Sequence, residues 1–513
     1  MYIGVESGSE EVLELLRKPQ SLTYDNDSIN GRCLDKHPLN HGTGIIGLFW
    51  VSPSLNDAPM TSQHQSVTAD RPVHVMAKPI GPTCNLECAY CYYLDKAALY
   101  PEQSDFRMSD DTLETFIRQY IEAQPGPAVS FAWQGGEPTL LGLDFFRTVV
   151  AFQRKHAPDG MQVQNSLQTN GTLLDAEWCE FLAAHEFLVG ISIDGPRALH
   201  DQFRRTRADG ATFDDVTNGL SLLQQYDVEH NVLCVVNAIN SHHPLRVYRF
   251  FRGLDVEWIQ FIPLVEPLDG SACTPENERI PDDRTPKRHD SEDVYPAPAW
   301  VSERGGLVEQ HDDDYQDILE AARAAPVTHR SVDPEAYGAF MCTIFDEWVR
   351  NDVGTVSVRL FDQCLERLRF GTAGLCVFSE SCGTQLAMEH NGDVYACDHF
   401  VEQGFERGNI HETHLARLVD DPGQRQFGDY KRDGLPSRCT SCDVRAFCNG
   451  GCPKNWHLET PDGELGLNYL CAGYRRFFTY VQPYLTLFER TLDDGLPPSF
   501  VMDAVALLDD RHS

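Results

Sequence analysis

With 513 residues, the chain is long enough for two or three domains and a large core. Its 77 acidic against 42 basic residues leave a formal net charge of −35, and only eight of the basic residues are lysine; this balance repels phosphate backbones, argues against a nucleic-acid partner and suggests adaptation to high salt. Residues 1–18 are charged with no apolar signal core, and the most apolar early run, 44–51, is too short to cross a bilayer, so a cytoplasmic location without a membrane partner is expected and the 17 cysteines point to metal or redox chemistry.

Residues 1–68 show no clear period and are expected to be an atypical N-terminal extension, with Met60 as the candidate native start. An apolar run, 73–80, reads as a buried strand. It leads into Gly81-Pro82-Thr83-Cys84-Asn85-Leu86-Glu87-Cys88-Ala89-Tyr90-Cys91-Tyr92-Tyr93. Cys84, Cys88 and Cys91 stand in a C-x3-C-x2-C spacing, and three thiolates so close in sequence can wrap one small iron–sulfur cluster. A zinc site is an alternative, and the same spacing would also line one face of a helix with small apolar residues. Gly81-Pro82 and Asn85 favour a loop. The spacing resembles the radical S-adenosylmethionine (radical SAM) signature, in which the fourth iron of a 4Fe–4S cluster is left for SAM to chelate. Gly4 to Glu11 also resembles a fragment of a different radical SAM subfamily, without a cluster motif before it.

From Arg71 onward, short β-branched-rich segments at 129–133, 163–168, 188–193, 232–236 and 258–262 alternate with helical patterns at 110–123, 143–156, 175–185, 213–226 and 244–252. This βα alternation predicts a parallel barrel or a doubly wound sheet, with chemistry at the carboxyl ends of the strands. At 266–300 apolar periodicity gives way to Pro, Asp, Glu and Arg, which predicts a disordered acidic insertion, with a substrate-binding lid as the alternative. Helical patterns return at 312–325 and 334–351; 356–361 reads as a strand and 362–370 as a helix.

Cys376, Cys382, Cys397, Cys439, Cys442, Cys448, Cys452 and Cys471 form a second cysteine field. Eight thiols are the complement of two fully ligated 4Fe–4S clusters or of two structural zinc sites, and the upstream loop favours iron–sulfur. Between them, 385–397 reads as a hairpin around Asn391-Gly392. The order Cys376-x5-Cys382-x14-Cys397, followed by the 439–471 set, resembles the SPASM domain, most closely that of anaerobic sulfatase-maturating enzymes, the formylglycine-forming branch. Phe131-Ala132-Trp133-Gln134-Gly135-Gly136-Glu137-Pro138-Thr139, Asn165-Ser166-Leu167-Gln168-Thr169-Asn170-Gly171, Gly190-Ile191-Ser192-Ile193-Asp194-Gly195-Pro196 and Asn231-Val232-Leu233-Cys234-Val235-Val236 also resemble stretches of that family. The resemblance covers residues 72–490 apart from the insertion. It implies an α/β fold: a partial (β/α)6 radical SAM barrel at 69–345, a cysteine-rich SPASM domain at 346–480 and a C-terminal helical tail at 481–513.

The resemblance further implies three 4Fe–4S clusters and SAM as cofactors. Cys84, Cys88 and Cys91 would hold the SAM-binding cluster; Cys376, Cys382, Cys397 and Cys452 the first auxiliary cluster; Cys439, Cys442, Cys448 and Cys471 the second. Gly135 and Gly136 would let backbone approach SAM, Glu137 would accept from its ammonium group, and Ser192 would be a polar partner unless its hydroxyl serves local backbone. Arg204 would meet the SAM carboxylate, with Arg205 and Arg207 as neighbouring competitors. Asp398 alone reads as a turn or capping residue, but by resemblance it matches the family's general base. Gln134 and Tyr93 resemble substrate-pocket positions. Cys179, Cys234, Cys342 and Cys364 lie in apolar segments and are expected in the core; Cys33 and Cys273 fall outside the pattern. The implied reaction converts a Cys or Ser side chain of a sulfatase polypeptide to Cα-formylglycine, in a monomer served by an external electron donor of ferredoxin or flavodoxin type. The alternatives are another SPASM maturase acting on a ribosomal peptide, and a non-catalytic iron–sulfur electron carrier, which would need no SAM site.

Overall fold

The computed structural model describes residues 68–102, 105–268 and 313–512. The expectations for residues 1–67, with Cys33 and Met60, and for the acidic segment beyond residue 268, with Cys273, lie outside the described residues. Glu266, where that segment was expected to begin, is fixed by Arg330 Nε at 3.0 Å and Thr328 Oγ1 at 2.7 Å.

The first half proceeds in βα steps. β1 (His74–Lys78) leads through the cysteine loop to α1 (Asp110–Ala123), then come β2 (Ala128–Trp133), α2 (Leu143–His156), β3 (Gln162–Thr169), α3 (Ala176–Ala184), β4 (Phe187–Ser192), α4 (Phe213–Gln225), β5 (His230–Val236), α5 (Pro244–Arg252) and β6 (Trp258–Pro263). These elements match the periodicities to within a residue or two because their boundaries carry strong local signals. Ser109 caps α1 by accepting from Thr112 N at 3.1 Å, and Asp175 caps α3 by accepting from Trp178 N at 2.9 Å. The second half contains α6 (Asp313–Ala324), α7 (Pro334–Asn351), β7 (Ser357–Val358), α8 (Arg359–Phe370), β8 (Gln385–Glu389), β9 (Asp393–Tyr395), β10 (Glu406–Asn409), α9 (Pro422–Asp433), α10 (Cys471–Asp493) and α11 (Phe500–His512).

These ten strands form one sheet, in the order β10-β9-β8-β1-β2-β3-β4-β5-β6-β7, and Leu458–Glu459 pairs antiparallel with Leu465–Leu467 as a separate two-stranded sheet. From β8 to β7 neighbours run parallel; β8–β9 and β9–β10 are antiparallel, with Gly392 at φ 90° turning the expected hairpin. The hairpin of the second cysteine field thus continues the first sheet, with His74 to Lys78 paired in register with Gln385 to Glu389. The described residues fall within one compact unit.

One expectation needs correction. The strand at 356–361 shrinks to Ser357–Val358, and α8 starts at Arg359, three residues early. Val356, Val358, Leu360 and Phe361 are all buried, so a buried helix start wears the apolar density of a strand. Residues 345 and 480, where the domain boundaries were expected, lie within α7 and α10, and these two helices pack together; a Cβ on Gly338 would come within 2.9 Å of Gly473 Cα, so they cross where both lack side chains. Cys179, Cys234, Cys342 and Cys364 are buried in the core as expected. No helix among the described residues is long and apolar enough to cross a membrane.

Candidate active site

The carboxyl ends of the parallel strands deliver the site. Lys78 ends β1, and residues 79–93 follow as an irregular loop, not a helix, carrying Cys84, Cys88 and Cys91. The loop is clamped on two sides. Glu87 N and Ala89 N donate to the carbonyls of Arg205 (2.8 Å) and Phe203 (3.0 Å). Asn85 donates to Thr172 Oγ1 and accepts from Asn170 Nδ2, both at 2.9 Å, at the end of β3. Burial pushes the Cys84 and Cys88 thiols up to about 12, and each feels Cys91 nearby, so the three stand as one group.

The turn after β2 holds Gln134, Gly135, Gly136 and Glu137. Gly135 and Gly136 have φ of 99° and 49°. A Cβ on Gly136 would collide with the Thr83 carbonyl, and one on Gly135 would come within 2.5 Å of Lys78 Cδ. The glycines are therefore demanded by the close approach of this turn to β1 and the cysteine loop. Glu137 is engaged by the loops around it. Its Oε1 accepts from Thr139 N (3.1 Å), Thr139 Oγ1 (2.7 Å) and Thr169 Oγ1 (2.7 Å), and Oε2 accepts from Asn170 N (2.7 Å). A carboxylate has about four acceptor positions, so Glu137 organises the loops and has little left for an ammonium group. Burial raises its carboxyl, against the pull of these donors.

Arg204 stands apart from its competitors. It is 4% exposed, pairs through Nε with Asp194 Oδ2 at 3.1 Å, lies over the Tyr90 ring and leaves Nη2 without a hydrogen-bond partner. Arg205 pairs with exposed Asp209, and Arg207 donates to the Cys84 carbonyl. Sequence reasoning missed Asp194, the hub of this corner, which also accepts from Tyr90 OH and from Val235 N. Ser192 accepts from Gln168 Nε2 at 2.9 Å, so its oxygen is already engaged, while Gln168 Oε1 has no partner.

Asp398, one residue after Cys397, is buried. Its Oδ1 pairs with the Lys78 ammonium, and its Oδ2 accepts from Tyr92 OH at 2.8 Å. Burial opposes its ionisation and Lys78 favours it, with the net direction downward. Tyr93 donates to buried Glu389 and lies against Lys78. Gln134 is buried with its amide oxygen unpartnered. Lys78 and Glu389 were missed; a buried lysine at a strand end was the available signal.

Cys376, Cys382, Cys397 and Cys452 line one cavity of about 390 Å³, counting its open mouth, with His399, Phe427 and Lys431. Burial first, and then the other thiols of the set, push Cys439 up to about 11 and Cys448 up to about 12 and hold Cys471 high, so Cys439, Cys442, Cys448 and Cys471 form a separate group. Cys448 and Cys452 part company because Asn449, Gly450 and Gly451 have φ of 45°, 74° and 65°, a left-handed run that reverses the chain. Among the described residues no three or more His, Cys, Asp or Glu side chains are arranged to hold one metal ion; a 4Fe–4S cluster asks instead for thiols on different irons.

Residues 79–251 match the Radical SAM superfamily, and residues 376–443 match an iron–sulfur cluster-binding domain, SPASM. The chain is 39% identical over 435 residues to a serine-type anaerobic sulfatase-maturating enzyme of Bacteroides thetaiotaomicron, covering 85% of this chain and 95% of that protein. It is 31% identical over 418 residues to a cysteine-type anaerobic sulfatase-maturating enzyme of Clostridium perfringens, covering 81% and 97%. Among solved structures, native anSMEcpe with bound AdoMet and Cp18Cys peptide is similar at 30% identity and a TM-score of 0.65, covering 82% of this chain and 99% of that one. Sequence and fold together thus make this chain a member of the anaerobic sulfatase-maturating enzymes, with a radical SAM region followed by an iron–sulfur cluster-binding region.

Proposed function

We propose that this protein is a radical SAM oxidase that converts a Cys or Ser side chain of a sulfatase polypeptide to Cα-formylglycine. The observation that carries the reading is Asp398, a buried carboxylate held by Lys78 and Tyr92 immediately beyond Cys397. Cys84, Cys88 and Cys91 would hold a SAM-binding 4Fe–4S cluster, and the two four-cysteine groups would hold two more, making three. The all-thiol donor sets and the unpartnered Nη2 of Arg204, suited to a carboxylate, fit these groups. Bound there, the clusters and SAM supply one-electron chemistry: a radical that removes hydrogen from carbon, and an acceptor for the electron left behind.

The chain's own residues do the rest. Arg204 would hold the SAM carboxylate, the 134–137 turn would present backbone to it, and Ser192, through its hydroxyl proton, would be a further polar contact. Gln134 would accept a hydrogen bond from the peptide and Tyr93 would wall its pocket. Asp398 would take the proton of the substrate hydroxyl or thiol as the C=O or C=S bond forms. One hydrogen from carbon, one proton from the heteroatom and one electron complete the two-electron oxidation; a thioaldehyde then hydrolyses to the aldehyde. An electron donor of ferredoxin or flavodoxin type primes the reaction, and a monomer working in a salt-rich cytoplasm completes the proposal.

The test is anaerobic incubation of the reconstituted protein with SAM, a reductant and sulfatase-type peptides carrying Cys or Ser, read by peptide mass and 5′-deoxyadenosine. A peptide aldehyde is expected, and its absence from both peptides would overturn the reading. Asp398→Asn should release deoxyadenosine with little aldehyde; full turnover by that variant would remove Asp398 from the mechanism.

A further inference from the structure

We infer that Lys78 is the positioning residue of this site: one buried side chain ties the Asp398 carboxylate, the Tyr93 ring and the Gly135 turn to the end of β1, and so keeps substrate oxidation coupled to SAM cleavage. The inference rests on the proposed role of Asp398 as the base that receives the substrate proton.

Lys78 is 0% exposed. Lysine is almost never fully buried unless paired, and its charged partner here is Asp398. The ammonium lies 4.7 Å from the centroid of the Tyr93 ring and 3.3 Å from Met76 Sδ. Its stem runs so close to Gly135 that a Cβ there would meet Lys78 Cδ at 2.5 Å, which makes the lysine one reason that the turn is glycine. In the β1–β8 register Lys78 lies beside Glu389, the acceptor of the Tyr93 hydroxyl. The second Asp398 oxygen is held by Tyr92, from the loop that β1 itself delivers.

Both oxygens of the carboxylate are therefore anchored to β1 and its loop, the same segment that carries Cys84, Cys88 and Cys91. The plane of the carboxylate is fixed relative to that loop even though Asp398 arrives from a distant part of the chain. Stability alone does not explain the pair, because a buried ion pair is often no better than apolar side chains of similar volume. What it does supply is orientation: the ammonium reaches the expected base and the expected substrate contact, while the stem of the same side chain abuts the expected SAM-side turn.

The test compares wild type with Lys78→Met, which keeps most of the stem and removes the charge, in the full-length reconstituted protein with SAM, dithionite and a Ser- or Cys-carrying sulfatase-type peptide. Aldehyde formed per deoxyadenosine released should fall at least about tenfold, while SAM and peptide dissociation constants measured without reductant stay within about threefold. Melting temperatures supply a second readout. Lys78→Met should melt below wild type because Asp398 is left buried without its cation, and Lys78→Met/Asp398→Asn should recover much of the loss. An unchanged aldehyde-to-deoxyadenosine ratio in Lys78→Met overturns the inference. A double variant that melts no higher than Lys78→Met also overturns it, because the lysine would then act on the fold and not through Asp398. Failure of wild type to make any aldehyde would sink the proposed function instead, and the melting cycle would still decide whether Lys78 acts through Asp398.

Discussion

Arg204, Arg205 and Arg207 lie within four positions of one another, yet only Arg204 is withdrawn from water and paired with a fully buried aspartate. Composition and spacing treat the three alike; what separates them is Asp194, a hundred residues past the cysteine loop in sequence and beside Tyr90 of that loop in space. The surroundings of Glu137 were illegible for a related reason. A carboxylate next to two glycines looks available, and only the packed loops reveal four donors already converging on it. Arg204→Lys should weaken SAM binding by about tenfold or more, since an ammonium cannot reproduce a planar fork held by Asp194. Arg205→Lys should leave the affinity near wild type. Equilibrium binding of SAM to reconstituted protein checks this, and equal losses in the two variants would contradict it.

At the scale of elements, helices and strands of the first half were legible because each carries its own cap or period, as at Ser109 and Asp175. The pairing of β1 with β8 was not. It joins residues more than three hundred positions apart, and a parallel pair leaves no turn signal between its strands. One short connection also carries a pH signature. His200, buried between the end of β4 and the start of α4, accepts from Asp194 N through Nδ1 at 3.3 Å and meets Thr212 Oγ1 through Nε2 at 3.1 Å. Burial, and next the Arg204 guanidinium, push this imidazole down to about 4, against the opposing pull of Asp194 and Asp201. Between its unfolded value of about 6.5 and about 4, the unfolded chain binds the extra proton, so stability is complete above that window and is lost as pH falls through it. The full effect is on the order of 3 kcal/mol. Melting curves of wild type and His200→Gln should therefore converge between pH 7 and pH 5. Parallel profiles would show that His200 does not carry the effect.

For the whole molecule, the −35 formal charge is the dominant long-range term. Self-repulsion of that size weakens as salt shortens the screening length from about 10 Å at 0.1 M to about 3 Å at 1 M. The melting temperature of the reconstituted protein should accordingly rise as KCl is raised over that range, and a flat or falling profile would remove the reading of high-salt adaptation. The βα alternation made the fold class legible from sequence, whereas the division of the eight later cysteines into two groups came only from the family resemblance; the left-handed turn at 449–451, which separates Cys452 from Cys448, is a backbone event with only Asn-Gly-Gly to announce it. Aldehyde formation in this site requires that a hydrogen leave the β-carbon of a peptide Cys or Ser. The most direct measurement uses a peptide deuterated at that carbon, with anaerobic turnover followed by mass analysis of both products. Deuterium is expected in the released deoxyadenosine together with an aldehyde on the peptide; an aldehyde formed with deoxyadenosine free of deuterium would contradict hydrogen removal at that carbon.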